Sequence, residues 1–88
     1  MIADKLGYAS VAAGVGKLVK AGPAGFFGVS VLGAGNVLVY DGTSASGTLI
    51  YSYPAAPVGF TANFGGNGIA CKVGLFVATV GDAVVLYT

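Results

Sequence analysis

Turn-forming residues interrupt this chain so often that no long helix fits between them. Sixteen of its 88 residues are glycine, and a glycine inside a helix costs about 1 kcal/mol relative to alanine. Together with proline, asparagine, aspartate and serine, they cut the sequence into short apolar runs at 17–21, 26–32, 37–40, 48–53, 58–64, 69–73, 75–80 and 83–88. Short runs rich in valine and aromatic residues, bounded by turn residues, are strand signals. A recurrence every 8–12 residues or so is that of a small sandwich or barrel. The pattern predicts an all-β chain: a small antiparallel β-sandwich, jelly-roll-like, of seven to eight short strands over residues 17–88. Residues 1–16 read as an N-terminal extended arm that a neighbour would order.

Charge is the second constraint. The chain has four lysines, three aspartates and no histidine, so seven charged side chains must serve its whole surface. Soluble designed surfaces carry about 25–35% charged residues; here the whole chain is 8% charged and 56% hydrophobic. Disorder is excluded by the same numbers, because it needs low hydrophobicity and high charge. Four lysines neutralise few phosphates, so no nucleic-acid partner is expected. Cys71 has no second cysteine to pair with, and without histidine neither a histidine triad nor a histidine zinc site can form. A chain of this size buries only about 60% of its unfolded surface. Much of its apolar surface must therefore meet other protein or lipid.

Lipid is the less favourable choice. Residues 24–40 and 69–85 approach the length of membrane-spanning helices, as in a small hairpin such as a holin. The first holds Gly25, Gly28, Gly33, Gly35 and Asn36, and the second holds Lys72 and Asp82. No cluster of basic residues flanks either one to set orientation. The start lacks a basic segment followed by a compact apolar core, so no signal peptide and no membrane partner are expected.

Candidate chemistry is sparse. Asp41 and Asp82 each adjoin a glycine, where an aspartate hydrogen-bonds local backbone in a tight turn. The stretch after Asp41 lacks the further carboxylates of a calcium loop. Cys71 sits in an apolar run and reads as a small buried hydrophobe. Gly65-Gly66-Asn67-Gly68 has no Lys-Ser/Thr after it, so it reads as a hairpin turn rather than a phosphate cradle. Lys17 and Lys20 read as a solvated strand edge. No catalytic residue, metal or cofactor is expected, and no enzymatic activity. The aromatic residues suggest a sugar platform less than core and subunit contacts, because few polar groups accompany them to orient a glycan.

Subunit contacts are expected where apolar residues run without alternation. In Val37-Leu38-Val39-Tyr40 and Val84-Val85-Leu86-Tyr87 both strand faces are apolar, as in strands covered on both sides. So short a chain covers one side itself and leaves the other to a second subunit. In residues 48–53, Thr48, Ile50 and Ser52 fall on one face and Leu49, Tyr51 and Tyr53 on the other. Phe26, Phe27, Tyr51, Tyr53, Phe76, Val84, Leu86 and Tyr87 are the candidate interface residues.

The order of segments carries a resemblance. Gly25-Phe26-Phe27-Gly28-Val29-Ser30-Val31 leads to a glycine-rich turn, then to Val37-Leu38-Val39-Tyr40-Asp41-Gly42-Thr43-Ser44-Ala45-Ser46-Gly47-Thr48. Gly74-Leu75-Phe76-Val77 and a valine-rich end, Ala83-Val84-Val85-Leu86-Tyr87, close the chain. Over about residues 17–88 this resembles small β-rich virion proteins of tailed bacteriophages. The resemblance implies a capsid decoration (cement) protein on the capsid surface, made in the host cytoplasm. Its implied partners are itself, as a homotrimer, and the major capsid protein. A tail or fibre component that binds a host glycan is the alternative.

Overall fold

The computed structural model describes residues 7–64 and 68–88. It is an all-β sandwich. The strands are β1 (Gly7–Val11), β2 (Lys17–Ala21), β3 (Ala24–Val31), β4 (Gly35–Asp41), β5 (Thr48–Ala56), β6 (Thr61–Asn63), β7 (Ile69–Cys71), β8 (Gly74–Thr79) and β9 (Ala83–Tyr87). One sheet runs β1-β9-β3-β6, with β7 also on β3; the other runs β2-β8-β4-β5. Every pairing is antiparallel.

The pairings nest. β4 pairs β5, β3 pairs β6 and β7, β2 pairs β8, and β1 pairs β9. This is one long hairpin wound into two sheets, the jelly-roll arrangement. β6 and β7 act as a single interrupted strand: Gly28–Ser30 of β3 pairs with β6, and Ala24–Phe26 pairs with β7.

Two expectations change. The arm predicted over residues 1–16 contains β1, zipped onto β9 from Gly7↔Tyr87 to Val11↔Ala83. Its own chain therefore orders this segment, and the winding needs it as the partner of the last strand; residues 1–6 lie outside the described residues. The glycine stretch at 65–68 does not join a hairpin, because its flanking strands pair with β3 and not with each other. Of that stretch, Gly65, Gly66 and Asn67 lie outside the described residues. The segments weighed as membrane helices are strands, and no helix among the described residues is long and apolar enough to cross a membrane.

The core lies between the sheets. Val29, Val31 and Val85 from one sheet meet Val37, Val39, Leu75 and Val77 from the other, all buried, with Val11 and Cys71 at its margins. The aromatic rings of Phe26, Tyr51 and Phe64 fill the side between β5 and β6, with centroids 5.3–5.7 Å apart. Tyr53 and Phe60 extend the cluster at 4.3 Å. Thr79 also faces inward, and its hydroxyl has no hydrogen-bond partner among the described residues.

Two strands expected to be apolar on both faces are covered by this chain on one. Val37, Val39, Ala83 and Val85 are buried, whereas Leu38, Tyr40, Val84 and Leu86 on the opposite faces are half-buried. A bulge also revises the alternation in β5. The register with β4 slips between Val39↔Tyr51 and Tyr40↔Leu49. Ile50 thereby turns towards the core with Tyr51 and Tyr53, and Leu49 turns outward, half exposed at 50%.

Candidate interaction surfaces

The outer face of the β2-β8-β4-β5 sheet carries an apolar row that no single sequence segment shows. Leu18 pairs with Phe76, Phe76 with Tyr40, and Tyr40 with Leu49. Since paired residues share a face, the four side chains form one line across all four strands. The Tyr40 and Phe76 rings are tilted, with centroids 6.3 Å apart. Leu18 and Leu49, at the two ends, are exposed. The Phe76 ring extends over Gly16, where a Cβ would occupy the ring's place. Ala78, Leu38 and Ser52 form the next row.

A second apolar surface lies at one end of the sandwich. Val15, Leu32, Val58 and Val80, all more than half exposed, sit in the connections β1–β2, β3–β4, β5–β6 and β8–β9. Backbone hydrogen bonds lash these connections together: Gly14 N–H to Thr79 O at 2.9 Å, Leu32 N–H to Asp82 O at 2.8 Å and Gly59 N–H to Val31 O at 2.8 Å. Gly33 and Gly81 touch so closely that a Cβ on Gly81 would overlap the Gly33 carbonyl. A shallow depression lined by Ser10, Val11, Ala12, Leu32, Asp82 and Ala83 opens here.

Both turn aspartates hold backbone, but distant rather than local backbone. The Asp41 carboxylate accepts from Lys72 N–H at 3.0 Å, Val73 N–H at 2.9 Å and Gly74 N–H at 3.4 Å. It thereby fixes the β7–β8 connection against the end of β4. The Lys72 and Val73 amides, followed by that of Gly74 and by the Lys72 charge, hold its carboxyl below the usual carboxylate range, although partial burial opposes them. Asp82 Oδ1 accepts from Ala13 N–H at 2.8 Å, across the β1–β2 connection. Their types were legible as turn residues, but their partners lie far away in sequence.

Cys71 is buried, and burial, aided by the Asp41 charge, raises its thiol pKa. Burial, then Tyr53, raises the Tyr51 phenol. Among the described residues, no three of His, Cys, Asp and Glu gather as metal ligands do.

The eight candidate interface residues divide. Phe26 is fully buried and Phe27 is 6% exposed, so neither is a contact residue. A register slip between Phe26 and Gly28 sends the Phe26 ring to the core and leaves the Phe27 ring against Gly25 and Gly68. Tyr51 and Tyr53 close the side of the core, half-buried, and Tyr87 lies at its margin. Val84 and Leu86 face outward on the β1-β9-β3-β6 sheet, and Phe76 faces outward on the other. Leu18, Tyr40 and Leu49, which join Phe76, escaped the sequence reading because only the strand order brings them together. The chain matches no protein-family model, no curated protein and no solved structure.

Proposed function

We propose that the protein is a structural, non-catalytic subunit of a phage virion: a capsid decoration protein that bridges neighbouring capsid subunits. The observation that carries this reading is the Leu18–Phe76–Tyr40–Leu49 row, an apolar line across a sheet face that the described residues leave partly exposed. Exposed apolar residues gathered in one place mark docking surfaces. A specific interface hides about 800 Å² per partner, a modest part of the 4529 Å² that the chain exposes. The low charge of the chain suits a surface that works covered. The segment order of small phage virion proteins supports the particle as the place, and jelly rolls serve in viral shells among other roles, an analogy of fold alone.

The test uses heads of the phage that encodes the chain, assembled without it. Purified protein should co-sediment with them to a fixed stoichiometry and raise their disruption temperature. Absence from the pelleted heads at saturating protein contradicts the reading.

A further inference from the structure

Strand β8 carries the apolar surface from the sheet face to the end of the sandwich. Leu75, Val77 and Thr79 are buried, whereas Phe76 and Ala78 between them are half-buried and Val80 beyond them is exposed. Side chains two apart share a face of a strand, so Phe76, Ala78 and Val80 form one outward column, about 13 Å long at about 3.3 Å per residue. Leu38, opposite Ala78, widens it. The column continues past the last paired residue of β8, Thr79. Val80 N–H still donates to the Asn36 carbonyl at 3.0 Å, and the Val80 side chain lies over Gly35, where a Cβ would collide with it.

Val80 thus belongs to both apolar surfaces. At the end of the sandwich it joins Val15, Leu32 and Val58, each more than half exposed. The hydrogen bonds from Gly14, Leu32 and Gly59 N–H already fix the backbone beneath them, so docking there has little left to order. In these four connections Asp82 is the one charged residue, and its Oδ1 is taken by Ala13 N–H. The opposite end of the sandwich is polar: its connections carry Lys72 and the hydroxyls of Thr43, Ser44 and Ser46. The row and the apolar end therefore form one uncharged surface folded over an edge. A flat partner meets the face or the end, but not both. The row alone is four side chains, whereas a specific interface engages about 20–30 residues a side.

We propose that this edge seats in an apolar cleft between two capsid subunits, with the sheet face on one wall and the Val15–Leu32–Val58–Val80 end on the other. The inference rests on the capsid reading and supplies what bridging requires, one surface for each of two neighbours. The two contacts reinforce each other because they are joined through one rigid domain, so the second forms at high effective concentration.

The test places a photo-crosslinker on each surface, as Leu49→p-benzoylphenylalanine and Val58→p-benzoylphenylalanine, singly and together. Both positions are exposed. On heads assembled without the protein, each single variant should link to one capsid chain. The double variant should link one copy to two capsid chains, seen on a denaturing gel. In parallel, Val15→Lys with Val58→Lys should keep the parent's circular dichroism and bind heads at least about tenfold more weakly. Isolated capsid protein offers one wall at a time and should bind the parent about a hundredfold more weakly than heads do. Leu49 linking while Val58 does not, or a double variant that links one capsid chain only, overturns this inference and spares the capsid reading. A Val58 probe that links a second copy of this chain without heads assigns the end to self-contact and overturns it too. So does uptake of the parent by phosphatidylglycerol vesicles that the double lysine variant abolishes. Heads that take up no protein overturn both readings.

Discussion

The outer faces of the two sheets, one five-stranded and one four-stranded, differ in the rows that cross them. Across the first sheet, the rows read Tyr8–Leu86–Gly28–Asn63 and Ser10–Val84–Ser30–Thr61. Each mixes apolar residues with glycine or with polar residues, and each ends at a polar one. Across the second sheet, the corresponding row reads Leu18–Phe76–Tyr40–Leu49, with no polar interruption except the tyrosine hydroxyl. The single chain covers that second row only in part: Tyr40 and Phe76 pack on each other, and Leu18 and Leu49 stay exposed at its ends. Under the proposed capsid role, the second face is the one that works covered.

The largest effect should come from breaking this asymmetry. Leu18→Lys with Leu49→Lys puts a charge at each end of the row, on side chains that are exposed in the single chain. The double variant should fold as the parent and bind heads at least about tenfold more weakly, by co-sedimentation. Tyr8→Lys, at the most exposed large apolar side chain of the other sheet, should bind unchanged.

Gly81→Ala separates folding from docking. Its added methyl meets the Gly33 backbone, and forced overpacking costs about 1–3 kcal/mol. Denaturant midpoints should fall while the outer faces keep their residues.

Thr79→Val acts beneath the row, on the inward face of β8. It replaces a buried hydroxyl without a partner among the described residues by a methyl group. Stability should rise by about 1 kcal/mol in urea unfolding, with head binding unaltered.

The smallest effect is a dependence on acid. The Asp41 carboxyl titrates lower in the folded chain than in the unfolded one. Its contribution is therefore complete above the unfolded value, near pH 4. It is lost as pH falls through the lower folded value. Melting of the parent should decline over that acid range, and Asp41→Asn should flatten the decline.

The sequence showed the strands because their signals are local. Residues 17–21 are β2 as expected, and the starts of β5, β7 and β9 fall where turn residues end. β1 escaped because Gly7 and small residues give 7–11 no apolar run of its own; β9 supplies its reason to be extended. The bulge that turns Leu49 outward was equally hidden, since alternation alone assigns it to the face of Tyr51 and Tyr53. Phe26 and Phe27 looked alike as neighbours, and the register slip beside them set their separate positions. The site was less legible than the fold, because Leu18, Tyr40, Leu49 and Phe76 come from four strands whose order the sequence does not encode locally.

The most direct test of the central claim is hydroxyl-radical footprinting of the protein free and bound to heads. Tyr40 and Phe76 should lose labelling on binding, while Tyr8 on the opposite sheet keeps its own. Protection of Tyr8 with Tyr40 and Phe76 still labelled would contradict the account.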